Sequence, residues 1–73
     1  MEERIKNVIL SVNDTIDLDD PDLNIAEDLD SMDIIALIAE LEDEFDIEIT
    51  MEEKNEENFE NVDTLAQMIE RLA

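Results

Sequence analysis

Apolar residues recur at the i, i+3, i+4, i+7 spacing of a helix in three stretches of this chain. Ile5, Val8, Ile9 and Val12 form the first, continued by Ile16. Ile34, Leu37, Ile38, Leu41 and Phe45 form the second, and Val62, Leu65, Met68, Ile69 and Leu72 the third. At roughly 100° per residue each set falls on one side of a helix and must be buried against the others. Alternation of period two appears only from Phe45 to Ile49, too short a run to compete. The expected fold is therefore all-α. The length of 73 residues is that of one small domain with a thin core, so residues 1–73 are read as a single unit.

The connections differ in character. Residues 13–30 form a long acidic loop with eight acids and the only proline, Pro21. Ile16, Leu18, Leu23, Ile25 and Leu29 are interleaved with those acids, so the loop is expected to lie on the helices. Residues 50–61 are polar but carry Met51 and Phe59. A short extra helix is expected near Glu52–Glu57, with Phe59 pinning the segment to the core. Asn61 and Asp63 are both suitable caps for the last helix.

Composition narrows the function. Four basic residues against 24 acidic ones give a net charge of −20. A nucleic-acid binder needs a basic footprint, and anionic lipid surfaces would repel this chain. Basic proteins and cations are the partners such a charge attracts. There is no apolar run of membrane-spanning length and no basic start leading into an apolar stretch, so the expected location is the cytoplasm and no membrane insertion is expected. Without His, Cys, Tyr or Trp the chain has few groups for acid–base or nucleophilic work near neutral pH. Without Gly it has no phosphate-cradling loop. It is read as a non-enzyme with no catalytic residues. The acids of residues 14–22 attract cations diffusely, but an EF-hand loop needs a glycine in its turn, so no dedicated metal site is expected. Nothing in the sequence signals an oligomer, and a monomer is expected.

Ser31 stands directly before the second helical stretch, in the run Glu27-Asp28-Leu29-Asp30-Ser31-Met32-Asp33. Ser31 or Asp30 here also reads as an ordinary N-cap. The partner residue of a capping box is absent, because Ile34 stands three positions after Ser31. On a helical wheel, Met32, Ala36, Ala39 and Asp43 fall opposite the core stripe. Asp33, Glu40 and Glu44 flank that outer strip on one side, Ile35 and Glu42 on the other. An apolar strip rimmed by acids reads as a docking surface for a basic partner rather than as a solvated face.

Asp30-Ser31-Met32 followed by Ile-Ile-Ala-Leu-Ile-Ala-Glu-Leu-Glu-Asp-Glu-Phe-Asp-Ile-Glu-Ile resembles the heart of the acyl carrier protein family. The family motif is Asp-Ser-Leu or Asp-Ser-Met at the start of its second helix. The resemblance extends over essentially the whole chain, including the acidic loop before the serine. It implies a four-helix bundle of acyl-carrier type, three helices longer and one short. It implies a 4′-phosphopantetheine arm carried on Ser31 and transferred from coenzyme A by a separate phosphopantetheinyl transferase, with acyl groups held as thioesters at the arm's end. Ser31 is then an acceptor, not an activated nucleophile. Asp30, Met32 and Asp33 match positions that the family offers to partner enzymes. Ala36, Ala39, Glu40, Glu42 and Asp43 extend that expected partner face along the helix. The expected partners are loading transferases or ligases and downstream enzymes of a fatty-acid or specialised acyl pathway, each with a basic docking patch.

The sequence departs from fatty-acid carriers in four places. Leu29 runs straight into Asp30-Ser31, Ala36 stands where Glu is frequent, Thr50 stands where Pro is frequent, and the segment of residues 50–62 is longer. The long segment, Phe59 and the Ser-Met pair are similar to D-alanyl carrier proteins of cell-wall teichoic acid synthesis, so an aminoacyl cargo stays open beside an acyl one. An alternative of another class is an unmodified acidic interaction protein, such as a DNA mimic or inhibitor, which needs the charge but not Ser31.

Overall fold

In a computed structural model that describes residues 1–73, four α-helices and one 3-10 turn follow in order: α1 (Glu2–Val12), α2 (Ile25–Asp28), α3 (Ser31–Phe45), the 3-10 turn Met51–Glu53, and α4 (Val62–Leu72). There are no strands. The all-helical bundle with three longer helices agrees with the sequence reading. Fourteen apolar side chains form one core, and Ile5, Ile9, Ile25, Leu37, Leu41, Leu65, Met68 and Ile69 within it are wholly buried. No polar side chain is buried, so the core contains no group whose desolvation must be offset. No helix is long and apolar enough to cross a membrane.

α1 packs on both α3 and α4. Its two ends fix its direction against α3. At one end Arg4 Nε donates to Glu44 Oε2 at 2.8 Å and Arg4 Nη2 donates to the Glu44 carbonyl at 2.8 Å. The same guanidinium lies 4.6 Å from the centre of the Phe45 ring. At the other end Asn13 Nδ2 donates to Asp33 Oδ2 at 3.4 Å. The start of α1 therefore meets the end of α3, and the two helices run antiparallel.

α1 stops at Val12, short of the Ile16 that the apolar stripe includes. The cause is Asn13, whose Oδ1 accepts from both the Thr15 amide and the Thr15 hydroxyl. Such Asx turns compete with helix continuation. Ile16 still reaches the core as a half-buried side chain from the loop. Asp17 accepts from the Asp19 amide and Asp20 from the Asp22 amide, so several acids of the loop also shape its turns in a chain without glycine. The loop then forms α2, a single turn not anticipated from sequence. Ile25 anchors it in the core, and the Ile25 and Ala26 amides donate to the Glu60 and Phe59 carbonyls. The loop is thereby tied to the segment that leads into α4.

α3 begins with Asp30 as its N-cap, Oδ1 accepting from the Asp33 amide at 2.8 Å. It ends at Asp46, the only residue with positive φ, at 53°. Glycine is the usual residue in that left-handed position, and Asp tolerates it with some strain. The alternating run after Phe45 is non-helical: Ile49 is buried and Ile47 half-buried, while Asp46 and Glu48 are exposed. The short helix expected near Glu52–Glu57 is instead the 3-10 turn Met51–Glu53 followed by turns. Asn55 Nδ2 donates to the Glu52 carbonyl and Asn58 Nδ2 to the Glu53 carbonyl, which takes those acceptors away from a continuing helix. Phe59 is buried, as expected. Asn61, rather than Asp63, caps α4, in a reciprocal capping box with Thr64.

Candidate functional site

Ser31 is the first residue of α3 and is exposed. Asp30 has taken the capping task, and the Ser31 hydroxyl makes no hydrogen bond within the chain. The other serine, Ser11, differs: its Oγ donates to the Val8 carbonyl at 2.7 Å. The backbone amides of Ser31 and Met32 also have no partner in the chain. A 15-residue helix therefore presents two free N–H groups and the positive end of its dipole beside this hydroxyl. That end favours an anion, whereas Asp30 and the half-buried Asp33 oppose one. A phosphate ester on Ser31 is thus supported by the helix and repelled by its acidic neighbours.

Beside Ser31 lies a cleft of about 430 Å³. Ala26 of α2, Ile34, Ile35 and Ile38 of α3, and Phe59 give it apolar walls. Lys54, Asn55 and Glu56 line its other side. Ile34 and Ile38 belong to the stripe read as core, but each is only half-buried because one edge faces this cleft. A larger hollow, against α4, is lined only by polar and charged residues such as Gln67, Glu70 and Arg71, and has no wall that would hold an apolar group. No cluster of carboxylates is arranged to hold a metal ion.

The expected partner residues divide into two groups. Asp30, Met32, Ala36, Ala39, Glu40 and Asp43 are exposed. Met32 is 78% exposed, which is unusual for a large apolar side chain. Asp33 and Glu42 are half-buried and have tasks inside the molecule. Asp33 accepts from Asn13, and Glu42 Oε2 accepts from the Ile49 amide at 2.9 Å, holding the chain as it leaves α3. Ile35 was not among the expected site residues, yet it is 67% exposed and lines the cleft. Two adjacent isoleucines at the start of α3 are its signal, since one helical stripe cannot bury both. Lys54 gave no signal within its polar run.

The family model for the phosphopantetheine attachment site matches residues 3–72. No curated protein and no solved structure matches the chain.

Proposed function

Because this chain belongs to the phosphopantetheine attachment family and so is a carrier domain for covalent 4′-phosphopantetheine, we propose that Ser31 is the residue that bears the arm and that the protein carries acyl intermediates between enzymes. The observation that carries this reading is the exposed, unbonded Ser31 hydroxyl at the head of α3, beside an apolar cleft. The arm supplies a terminal thiol for thioester chemistry that a chain without cysteine lacks. The protein's own residues hold and present. Asp30 and the α3 backbone keep Ser31 at the surface, where a transferase reaches its Oγ. The free amides of Ser31 and Met32 stabilise negative charge next to it. No carboxylate is hydrogen-bonded to the Ser31 hydroxyl, so activation of the hydroxyl is assigned to the transferase and the carrier is given no catalytic step of its own.

Ile34, Ile35, Ile38 and Phe59 support an acyl chain as cargo over an aminoacyl group, whose ammonium gains nothing from apolar walls. Met32, Ala36 and Ala39, bordered by Asp30, Glu40 and Asp43, form the proposed docking strip for enzymes with basic patches. Incubation with coenzyme A, Mg²⁺ and a permissive phosphopantetheinyl transferase tests the reading. One addition of about 340 Da by intact mass is expected. A folded protein that gains no mass would return the chain to the class of unmodified acidic binding proteins.

A further inference from the structure

The chain has four basic side chains. Arg4 is paired with Glu44, and Arg71 with Glu53 at 3.1 Å. Lys6 lies against the acidic loop, near Asp17 and Asp19. Lys54 has no ion-pair partner and lines the cleft that Ser31 also lines. The charged groups next to Ser31 in sequence, Asp28, Asp30 and Asp33, are all acids, and so is Glu56, the other charged residue lining the cleft. Lys54 is therefore the one cation placed to meet a group attached to Ser31.

We propose that Lys54 is a positioning residue that receives the anion tethered to Ser31, the phosphodiester of the arm, and so directs the arm into the cleft rather than along the exposed strip of Met32 and Ala36. The inference rests on the assignment of Ser31. The free Ser31 and Met32 amides hold a phosphodiester at the head of α3, and two forces bias it from there toward Lys54. The acids at the head of α3 repel a phosphodiester, and Lys54, as the only cationic residue lining the cleft, attracts it. An ammonium on a flexible four-carbon stem adapts to a mobile anion better than a rigid guanidinium locked in a fork. An ion pair at an exposed site is weak between free molecules. Here the anion is tethered, so the pair forms intramolecularly and no translational freedom is lost. A carboxylate at the end of a cargo would offer Lys54 the same chemistry inside the same cleft.

The test uses the full chain as wild type, Lys54→Gln and Lys54→Arg. Each is loaded by the transferase from coenzyme A, butyryl-coenzyme A or succinyl-coenzyme A, with single occupancy of Ser31 checked by mass. Amide and ³¹P NMR shifts are then compared between apo and loaded forms. Loading wild type from coenzyme A should shift the Ile38, Lys54 and Phe59 amides. In Lys54→Gln those shifts should fall about two- to fivefold, the population change that a weak exposed ion pair supports, and Lys54→Arg should restore most of them. The ³¹P shift should depend on salt in wild type and lose that dependence in Lys54→Gln. A Lys54-dependent response seen only with the succinyl arm would keep Lys54 as the anion receiver and assign the anion to the cargo. Identical shifts in wild type and Lys54→Gln with all three arms would overturn the proposal. Absence of any mass gain would remove it together with the Ser31 assignment, an outcome the mass check separates from a failure of Lys54 alone.

Discussion

α4 and α3 use their apolar residues differently. α4 spans 11 residues and buries Val62, Leu65, Ala66, Met68 and Ile69. α3 spans 15 residues and buries only Leu37 and Leu41. Its Ile34, Ile38 and Phe45 are half-buried, and Met32 and Ile35 stand in solvent. The apolar surface of α4 is consumed by the fold, whereas α3 keeps an apolar surplus at the end that carries Ser31. In a molecule with a charge of −20, where exposed positions are so often acids, that surplus is better explained by the work of the site than by stability.

Substitutions of graded severity sharpen this contrast. Leu65→Ala in α4 should have the largest effect, a loss of about 2–5 kcal/mol by chemical denaturation, because Leu65 is wholly buried and leaves a cavity. A loss this large threatens the folding of a small domain. Asn61→Ala removes the reciprocal cap of α4 and should lower stability by about 1 kcal/mol in the same assay. Asp46→Gly acts on α3 in the opposite sense. It relieves the left-handed strain and removes an acid from the negative end of the helix, and a gain of about 1 kcal/mol is expected. Ile35→Ser should change stability by less than about 0.5 kcal/mol, because the side chain is largely in solvent. The same change should weaken sequestration of an acyl cargo, read as faster hydrolysis of the loaded thioester. An Ile35→Ser protein as damaged as Leu65→Ala would break the contrast, since Ile35 would then belong to the core. Added NaCl should raise the melting temperature of every variant by screening the common negative charge, and no response to salt would contradict that repulsion.

The sequence disclosed the parts of this fold that repeat. The stripes Ile5-Val8-Ile9, Leu37-Leu41 and Leu65-Met68-Ile69 all reach the core, because helical periodicity is a local property. Single-turn features stayed hidden. The four residues of α2 are too few to show a period, and Ile25 looked like any other apolar residue of an acidic loop. α1 ends where the loop of residues 13–30 is read to begin, but the Asn13 side chain that stops it has no trace in the apolar pattern, which runs on to Ile16. Ser31 stood out by its place before the longest helix and by its motif. The cleft did not, because it forms only when the segment carrying Lys54 and Phe59 comes to lie beside α3, and that approach is set by long-range packing. The wheel placed Met32, Ala36 and Ala39 on the outside, where the structure also has them. It could not show that Glu42 turns back to hold the Ile49 amide.

The two serines provide the most direct test of the central assignment. Wild type, Ser31→Ala and Ser11→Ala would be incubated with coenzyme A, Mg²⁺ and the transferase, and their intact masses compared after circular dichroism has confirmed equal helicity. The account predicts one arm on wild type and on Ser11→Ala, and none on Ser31→Ala. A Ser31→Ala protein that still takes up the arm, or a Ser11→Ala protein that does not, would contradict it.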